Sequence, residues 1–310
     1  MARQGLQRGF NQAYLQGVKS GHAMSNHRTG FAGGNTDGTA NMDKMQDPVL
    51  LADANTHCPF YFWNADNVTL SGTNVTAVTN LLGTKFNPIF EPSVPTITVN
   101  GDPLYVSQAV NNNRAAVTFD SNDSIGVFND TTVNKNLTLS NEMTLIMVCR
   151  TDTASTVLFS KTDESSFPGT GTSGDLIVRT DSNKNIEVTY LGGVYSGFNY
   201  DVFTTNDPKV RSNQWVMLTV KVRTYRPAGR GSEIEIYVNG TRDQTDTGIP
   251  TLIGFDLDTF QNRYIQFGNG SSLTGGGNSI AAGLITGYWI NESQQIRLEN
   301  YFRDYYGTKF

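Results

Sequence analysis

Two short runs in which apolar and polar residues alternate constrain the fold of this chain more than any other feature. In the first, residues 215–222, Val or Leu recurs at every second position, and in the second, residues 233–238, Ile and Val alternate with Glu and Tyr. A segment containing Pro and Gly separates them, and Asn239-Gly240 follows. This pattern predicts an antiparallel hairpin with one buried face. Asn-Gly favours a tight turn into another strand.

Short apolar runs separated by turn residues continue along most of the chain. Residues 143–150 (MTLIMVCR) are almost continuously apolar, which predicts a central strand covered on both faces. The other predicted strands are residues 59–63, 74–82, 115–119, 125–128, 157–161, 176–180, 186–191, 194–198, 264–267 and 282–290. Many short strands at near-regular spacing predict an all-β fold, a two-sheet antiparallel jelly-roll sandwich over residues 49–310.

A short C-terminal helix interrupts this series of strands. Asn291 and Gln294 have the spacing of a capping box, and Gly307 suits the exit from a helix. The residues at helical spacing on one face are Leu298, Tyr301, Phe302 and Tyr305. We expect this face to pack on the sandwich.

Residues 1–48 form a segment of different composition. It is rich in Gly, and its first 31 residues contain no acidic residue. Because it has too few apolar residues for a core, we expect an extended N-terminal arm that orders against a partner. An arm packed on its own domain, or one that binds nucleic acid, are the alternatives. The candidate contact residues are Arg3, Arg8, Phe10, Tyr14, Lys19, Arg28 and Phe31.

Composition excludes several classes of function. A net charge of −5 gives no general nucleic-acid footprint, and no apolar run is long enough to cross a bilayer. The start of the chain has no signal-peptide core, so we expect synthesis in a host cytoplasm. We predict that Cys58 and Cys149 are two buried thiols. His22 and His27, five apart in the arm, read as solvent or interface residues, because a metal site would need more ligands.

Four stretches, in this order, resemble motifs of the concanavalin A-like, laminin-G-like jelly-roll superfamily. They are residues 119–125, Gln214-Trp215 with the strand after it, residues 235–240 (EIYVNG), and residues 283–289 with the helix through Gly307. The last is similar to the closing segment of many bacterial and phage members. The resemblance covers about residues 60–310 and implies a jelly roll. Thr286-Gly287 stands where an acidic residue is common, so any role of that carboxylate is absent here.

Glu233 and Glu235 are the one candidate catalytic pair. Glycoside hydrolases of that superfamily carry alternate carboxylates on one strand face, and residues two apart do share a face. The third acid of their motif is missing, however, and the stretch fits the structural YVNG strand with its glutamates facing solvent. All three histidines lie in or near the arm, so the domain has none for a Ser-His-Asp triad. We therefore predict no catalytic residues and no enzyme activity.

Two groups of residues could bind ligands. Asp120, Asp123 and Asp130 could supply oxygens to calcium, although ordinary turn aspartates have the same pattern. Calcium is the one candidate cofactor. The densest aromatic cluster could stack on sugar rings, or serve as core or subunit contacts, and consists of Tyr190, Tyr195, Phe198, Tyr200 and Phe203.

These features lead to a ranked expectation of function. The first is a structural protein of a virion, of the bacteriophage type, in capsid decoration, a head fibre or a tail. The arm would hold it to other virion proteins, and it would form homo-oligomers. The second is a carbohydrate- or receptor-binding adhesin module that contacts a host glycan. A glycoside hydrolase is third.

Overall fold

The described part of the chain consists of antiparallel strands, two short 3₁₀ turns and one α-helix. The structure is a computed structural model, and it describes residues 59–81, 97–120, 123–129, 142–151, 156–162, 176–192, 199–204, 214–223, 232–249, 263–268, 278–286 and 289–307. The predicted arm, with His22 and His27, lies outside these ranges, as do Cys58 and the strand predicted at residues 194–198. The boundary predicted at residue 49 therefore stays a prediction.

The structure describes seventeen strands. They are β1 (Pro59–Asn64), β2 (Val68–Ser71), β3 (Asn74–Val78), β4 (Thr98–Asn100), β5 (Leu104–Val110), β6 (Arg114–Phe119), β7 (Ser124–Asn129), β8 (Glu142–Thr151), β9 (Val157–Thr162), β10 (Leu176–Thr180), β11 (Ile186–Gly192), β12 (Asn199–Thr204), β13 (Val216–Arg223), β14 (Ser232–Val238), β15 (Thr241–Ile249), β16 (Arg263–Phe267) and β17 (Asn278–Thr286). The helix α1 spans Glu292–Tyr306.

The strands form two sheets. The larger has the order β15-β14-β13-β8-β17-β6-β5-β3-β2, with β1 also paired to β17, and the smaller has the order β12-β11-β10-β9-β16-β7-β4. Side chains from both sheets share one buried cluster, which includes Leu145 and Val220 from the large sheet and Phe159 and Ile265 from the small one. Two sheets around a shared core make the sandwich that the sequence predicted.

The outer face of the large sheet carries a second core. It includes Ile146 and Leu284 of the sheet and Leu298 and Phe302 of α1, all buried. Strand β8 serves both cores, because its alternate residues point to opposite faces. This confirms that residues 143–150 form a central strand covered on both sides. The described residues thus form three layers, namely small sheet, large sheet and helix.

The predicted hairpin is present as β13 and β14, but its outer face is not open to solvent. Residues 216–222 of β13 are all buried, because α1 and its flanking residues cover the face opposite the core. The expectation of a single buried face is therefore wrong for β13. Asn239 and Gly240 have φ of 57° and 79°, the positive values that a tight turn between β14 and β15 requires.

Helix α1 begins and ends as its sequence predicts. The Asn291 side chain accepts from the backbone of Gln294, whose own side chain accepts from Asn291, which completes the capping box. Gly307 closes the helix at φ 58°. Leu298 and Phe302 are buried as expected, whereas Tyr301 and Tyr305 are partly exposed.

Candidate binding surface

Three strands at one side of the large sheet present a row of charged residues on its outer face. The pairing register places Arg223 opposite Glu233, and Lys221 opposite Glu235. Arg242 of β15 lies opposite Tyr237 of β14. Residues directly opposite one another in antiparallel strands share a face, and opposite charges there attract. With Trp289, these six residues define what we call the Trp289 surface.

Both glutamates of this surface are held by cations. Arg223 donates to Glu233 through its Nε and Nη2 atoms. Lys221 Nζ lies 2.8 Å from Glu235 Oε2, and Arg242 Nη2 lies 2.9 Å from Glu235 Oε1. The carboxylate of Glu235 therefore joins all three strands through their side chains.

The indole of Trp289 lies over this row just before α1. Lys221 Nζ and the Arg223 Cζ atom are each 4.5 Å from the centre of its ring. A cation within about 6 Å of an aromatic ring centroid is attracted by the negative face of the ring. Trp289 remains partly exposed, so a ring fixed against two cations sits at the protein surface.

Tyr237 adds a second ring to this surface. Its hydroxyl donates to Glu235 Oε2 at 3.0 Å, and Lys221 Nζ lies 5.4 Å from the centre of its ring. Burial and the adjacent Glu235 carboxylate raise the pKa of Tyr237 to about 12. The phenol is therefore a neutral donor at physiological pH.

A buried polar network fixes the inner edge of the surface to α1. Thr219 donates to Glu299 Oε1 at 3.0 Å, and Gln295 Nε2 donates to the same oxygen at 2.9 Å. Lys221 Nζ is 3.4 Å from Gln295 Oε1, and its side chain is only 4% exposed. Because each of these buried groups has a partner, the network can hold the platform rigid without an unpaired charge.

Glu233 and Glu235 share a face, as the sequence predicts, but that face is only partly open to solvent. The Glu235 side chain is 13% exposed, and both glutamates are in ion pairs with cations of the neighbouring strands. The expectation of solvent-facing glutamates is wrong for Glu235, because Lys221 and Arg242 lie against its carboxylate, whereas Glu233 remains partly exposed.

Three of the five residues of the predicted aromatic cluster lie on β11 and β12. Tyr190 pairs with Asp201, Leu191 with Tyr200, and Val188 with Phe203, while Tyr195 and Phe198 lie outside the described residues. A glycan site at this cluster stays a prediction.

Asp120 and Asp123, two of the three aspartates proposed for calcium, lie between β6 and β7. Asp123 is buried, and its two oxygens accept the backbone N–H groups of Asp102 at 2.8 Å and Asp120 at 3.0 Å. Burial raises the pKa of Asp123, while these two hydrogen bonds oppose the shift. Within the described ranges, no three His, Cys, Asp or Glu residues are grouped to hold a metal ion. Asp130 lies outside them, and calcium binding stays a prediction.

Several other predicted features can be placed only in part. All seven arm residues lie outside the described ranges, so assembly through them stays a prediction. Cys149 is a buried free thiol, and burial raises its pKa to about 12. Among the described helices, none has the length and apolar character needed to cross a membrane.

The sequence reasoning missed the Trp289 surface as a unit. The sequence places Trp289 in a closing motif and the hairpin glutamates in the scaffold, and it predicts no role for Lys221, Arg223 or Arg242. The alternation of charge across the hairpin was the available signal. Arg223 and Lys221 are two apart, as are Glu233 and Glu235, which is the spacing that two facing strands need to form two ion pairs.

Comparison with known proteins identifies the fold but no family. No protein-family model matches the chain, and no curated protein matches its sequence. The receptor binding domain of botulinum neurotoxin mosaic serotype C/D superposes with a TM-score of 0.51 at 12% identity, over 79% of this chain and 51% of that one. The binding domain of Paraclostridial Mosquitocidal Protein 1 gives 0.50 at 14% identity, over 82% and 53%.

These two structures set the limits of the comparison. The chain spans about half of the length of each, and identities this low show a shared fold alone. Both are binding domains, and the prediction that this chain is not an enzyme is consistent with them. Neither structure gives evidence for or against the predicted virion role.

Proposed function

We propose that this chain is a binding module that recognises glycans, free or on a receptor, through the Trp289 surface. The observation that carries the proposal is a partly exposed tryptophan ring held against two cations on a platform of paired charges. Exposed aromatic rings stack on sugar faces, and convergent polar groups around them fix orientation. The adhesin alternative is therefore preferred to the virion role.

The platform suits recognition because it is already organised. Cross-strand ion pairs hold Arg223 and Lys221 in place, and the network with α1 holds the inner edge. A rigid surface loses little conformational entropy when it binds, so more of the contact energy appears as affinity. The proposal also agrees with the two structures of similar fold being binding domains, although a shared fold does not determine function.

A glycan array tests this proposal with a matched pair of variants. We expect the intact chain to bind a subset of glycans and Trp289→Ala to lose at least about tenfold in affinity, equivalent to 1.4 kcal/mol. Trp215→Ala is the control, because Trp215 is also partly exposed and also lies near a cation, Arg150, 5.2 Å from its ring centre. Loss of binding in both variants, or in neither, would contradict the proposal.

The virion role stays a separate prediction, since it depends on residues 1–48. A binding module could be displayed on a particle, made in a host cytoplasm and fixed through such an arm. Deleting residues 1–48 tests this: incorporation into particles should be lost while glycan binding remains. Unchanged incorporation would rule out the arm as an anchor.

A further inference from the structure

We infer that the ligand of the Trp289 surface is an uncharged, hydroxyl-rich saccharide and not an acidic glycan. The inference rests on the proposed function and specifies its ligand class. It follows from how the charges of the surface are already paired. Lys221, Arg223 and Arg242 supply three positive charges. Glu233 and Glu235 supply two carboxylates, and each of the three cations contacts one of them.

An anionic ligand would have to compete with carboxylates that are already in place. Arg223 makes two contacts with Glu233, and Lys221 and Arg242 both contact Glu235. A sialic acid or a sulfate that paired with these cations would bring its charge close to Glu233 or Glu235. The negative charge of the ligand would repel the nearby carboxylate. If the ligand instead displaced Glu233 or Glu235 from its cation, that partly buried carboxylate would lose its partner, which is also costly.

A cationic ligand meets the opposite obstacle. The faces of aromatic rings attract cations, but Lys221 lies 4.5 Å from the Trp289 ring centre and 5.4 Å from that of Tyr237. Arg223 also lies against Trp289. A ligand ammonium group would therefore enter next to two fixed positive charges.

A neutral sugar avoids both costs and can use the polar atoms that remain. Glu233 holds Arg223 through Oε2, and within the described part of the chain its Oε1 has no assigned donor. The Glu233 side chain is 26% exposed, so a sugar hydroxyl can reach it and donate. A carboxylate has about four lone-pair sites, so it can accept a hydroxyl without releasing the arginine. The apolar face of the sugar would then lie on Trp289.

The test compares neutral, sialylated and sulfated glycans on one array, for the intact chain and for Glu233→Gln. We expect the intact chain to bind neutral glycans only, with affinity that changes less than about twofold between 50 mM and 500 mM salt, because no net charge is paired on binding. Glu233→Gln removes the carboxylate that occupies Arg223. We expect it to bind neutral glycans at least threefold more weakly and to gain measurable binding to sialylated or sulfated ones. Glu187→Gln is the matched control, because it removes the carboxylate paired with Arg179 on the small sheet and should leave both kinds of binding unchanged.

Each outcome decides between the inference and the function on which it rests. Binding of acidic glycans by the intact chain, lost in Trp289→Ala, would overturn the inference and leave the glycan-binding proposal standing. Neutral binding that Glu233→Gln leaves unchanged, with no gain for acidic glycans, would also overturn it. Absence of any glycan binding would overturn the proposed function, and the inference with it.

Discussion

The two halves of the outer face of the large sheet differ in chemistry although they share β13. On one half, Leu298 and Phe302 of α1 pack on apolar side chains of the sheet, with Phe302 and Phe62 in edge-to-face contact at 6.0 Å. On the other half, β13, β14 and β15 carry ion pairs that α1 does not bury completely. Apolar burial supplies stability, whereas partly exposed ion pairs supply little. The charged half is therefore free to serve recognition.

The largest loss of stability is expected from a substitution in the apolar half. Phe302→Ala removes a fully buried ring that contacts Phe62, Tyr301 and Tyr306. It should lower the free energy of unfolding by about 3–5 kcal/mol, the usual cost of truncating a buried Phe. Urea denaturation measures this, and Ile296→Ala, an exposed apolar residue of the same helix, should cost much less. Equal costs for both would show that α1 is not held by its apolar face.

A substitution at the boundary between the halves should lower the free energy of unfolding by an intermediate amount. Glu299→Ala removes the acceptor of Thr219 and Gln295, and both donors are buried. Leaving buried donors unsatisfied should cost about 1–3 kcal/mol. Asp304→Ala, an exposed acid of the same helix, is the control in the same denaturation experiment. A cost no greater than that of the control would mean that the network contributes nothing to docking.

Alkaline pH should destabilise both the core between the two sheets, which contains Cys149, and the charged half of the outer face, which contains Tyr237. Burial raises the pKa of Cys149 from 9.0 to about 12, and burial with the Glu235 contact raises that of Tyr237 from 10.0 to about 12. Above pH 9 the unfolded chain loses these protons first and so binds fewer than the folded chain. The free energy of unfolding therefore falls as pH rises from 9 to 12, and the contribution is fully present below pH 9.

Denaturation midpoints measured between pH 8 and 11.5 check this sign. Tyr237→Phe should reduce the fall above pH 10, because it removes one of the shifted groups. At pH 8 the same variant loses the hydrogen bond to Glu235, worth about 1 kcal/mol. A midpoint that is constant or rises over this range would contradict the burial of these groups.

The smallest effect on stability is expected from the exposed ion pair of the charged half. Arg223 and Glu233 are 31% and 26% exposed at their side chains, so their coupling should be about 0.2–1 kcal/mol. A double-mutant cycle with Arg223→Ala and Glu233→Ala measures it, at low and at high salt. Coupling well above this range would mean that the charged half is structural, like the apolar half.

Local patterns account for the elements that the sequence predicted. The run of residues 143–150, the alternation in the hairpin and the capping box at Asn291 are each decided by residues close together in the chain. Strand β15 (TRDQTDTGI) follows the Asn239-Gly240 turn as expected, but its extent has no sequence signal, because too few of its residues are apolar to give a period-two pattern. Strand β17 spans Asn278–Thr286, earlier than the predicted residues 282–290, because its polar first residues are buried between β6 and β8.

The site was harder to predict than the fold, because charged residues are ordinarily expected at the surface. Lys221 and Glu299 are buried only because a strand and a helix 70 or more residues apart in sequence meet there. Trp289 is part of the surface because it contacts Lys221 and Arg223, and no local sequence pattern predicts these contacts. Such a site depends on register and helix docking, which are tertiary properties.

The most direct test of the division between the two halves measures Trp289→Ala and Phe302→Ala side by side, for both unfolding free energy and glycan affinity. Phe302→Ala should have the greater loss of stability, with glycan affinity per folded molecule within about twofold of the parent chain. Trp289→Ala should keep more of its stability and lose at least about tenfold in affinity, or 1.4 kcal/mol. Equal losses of affinity in the two variants would contradict a binding surface confined to the charged half.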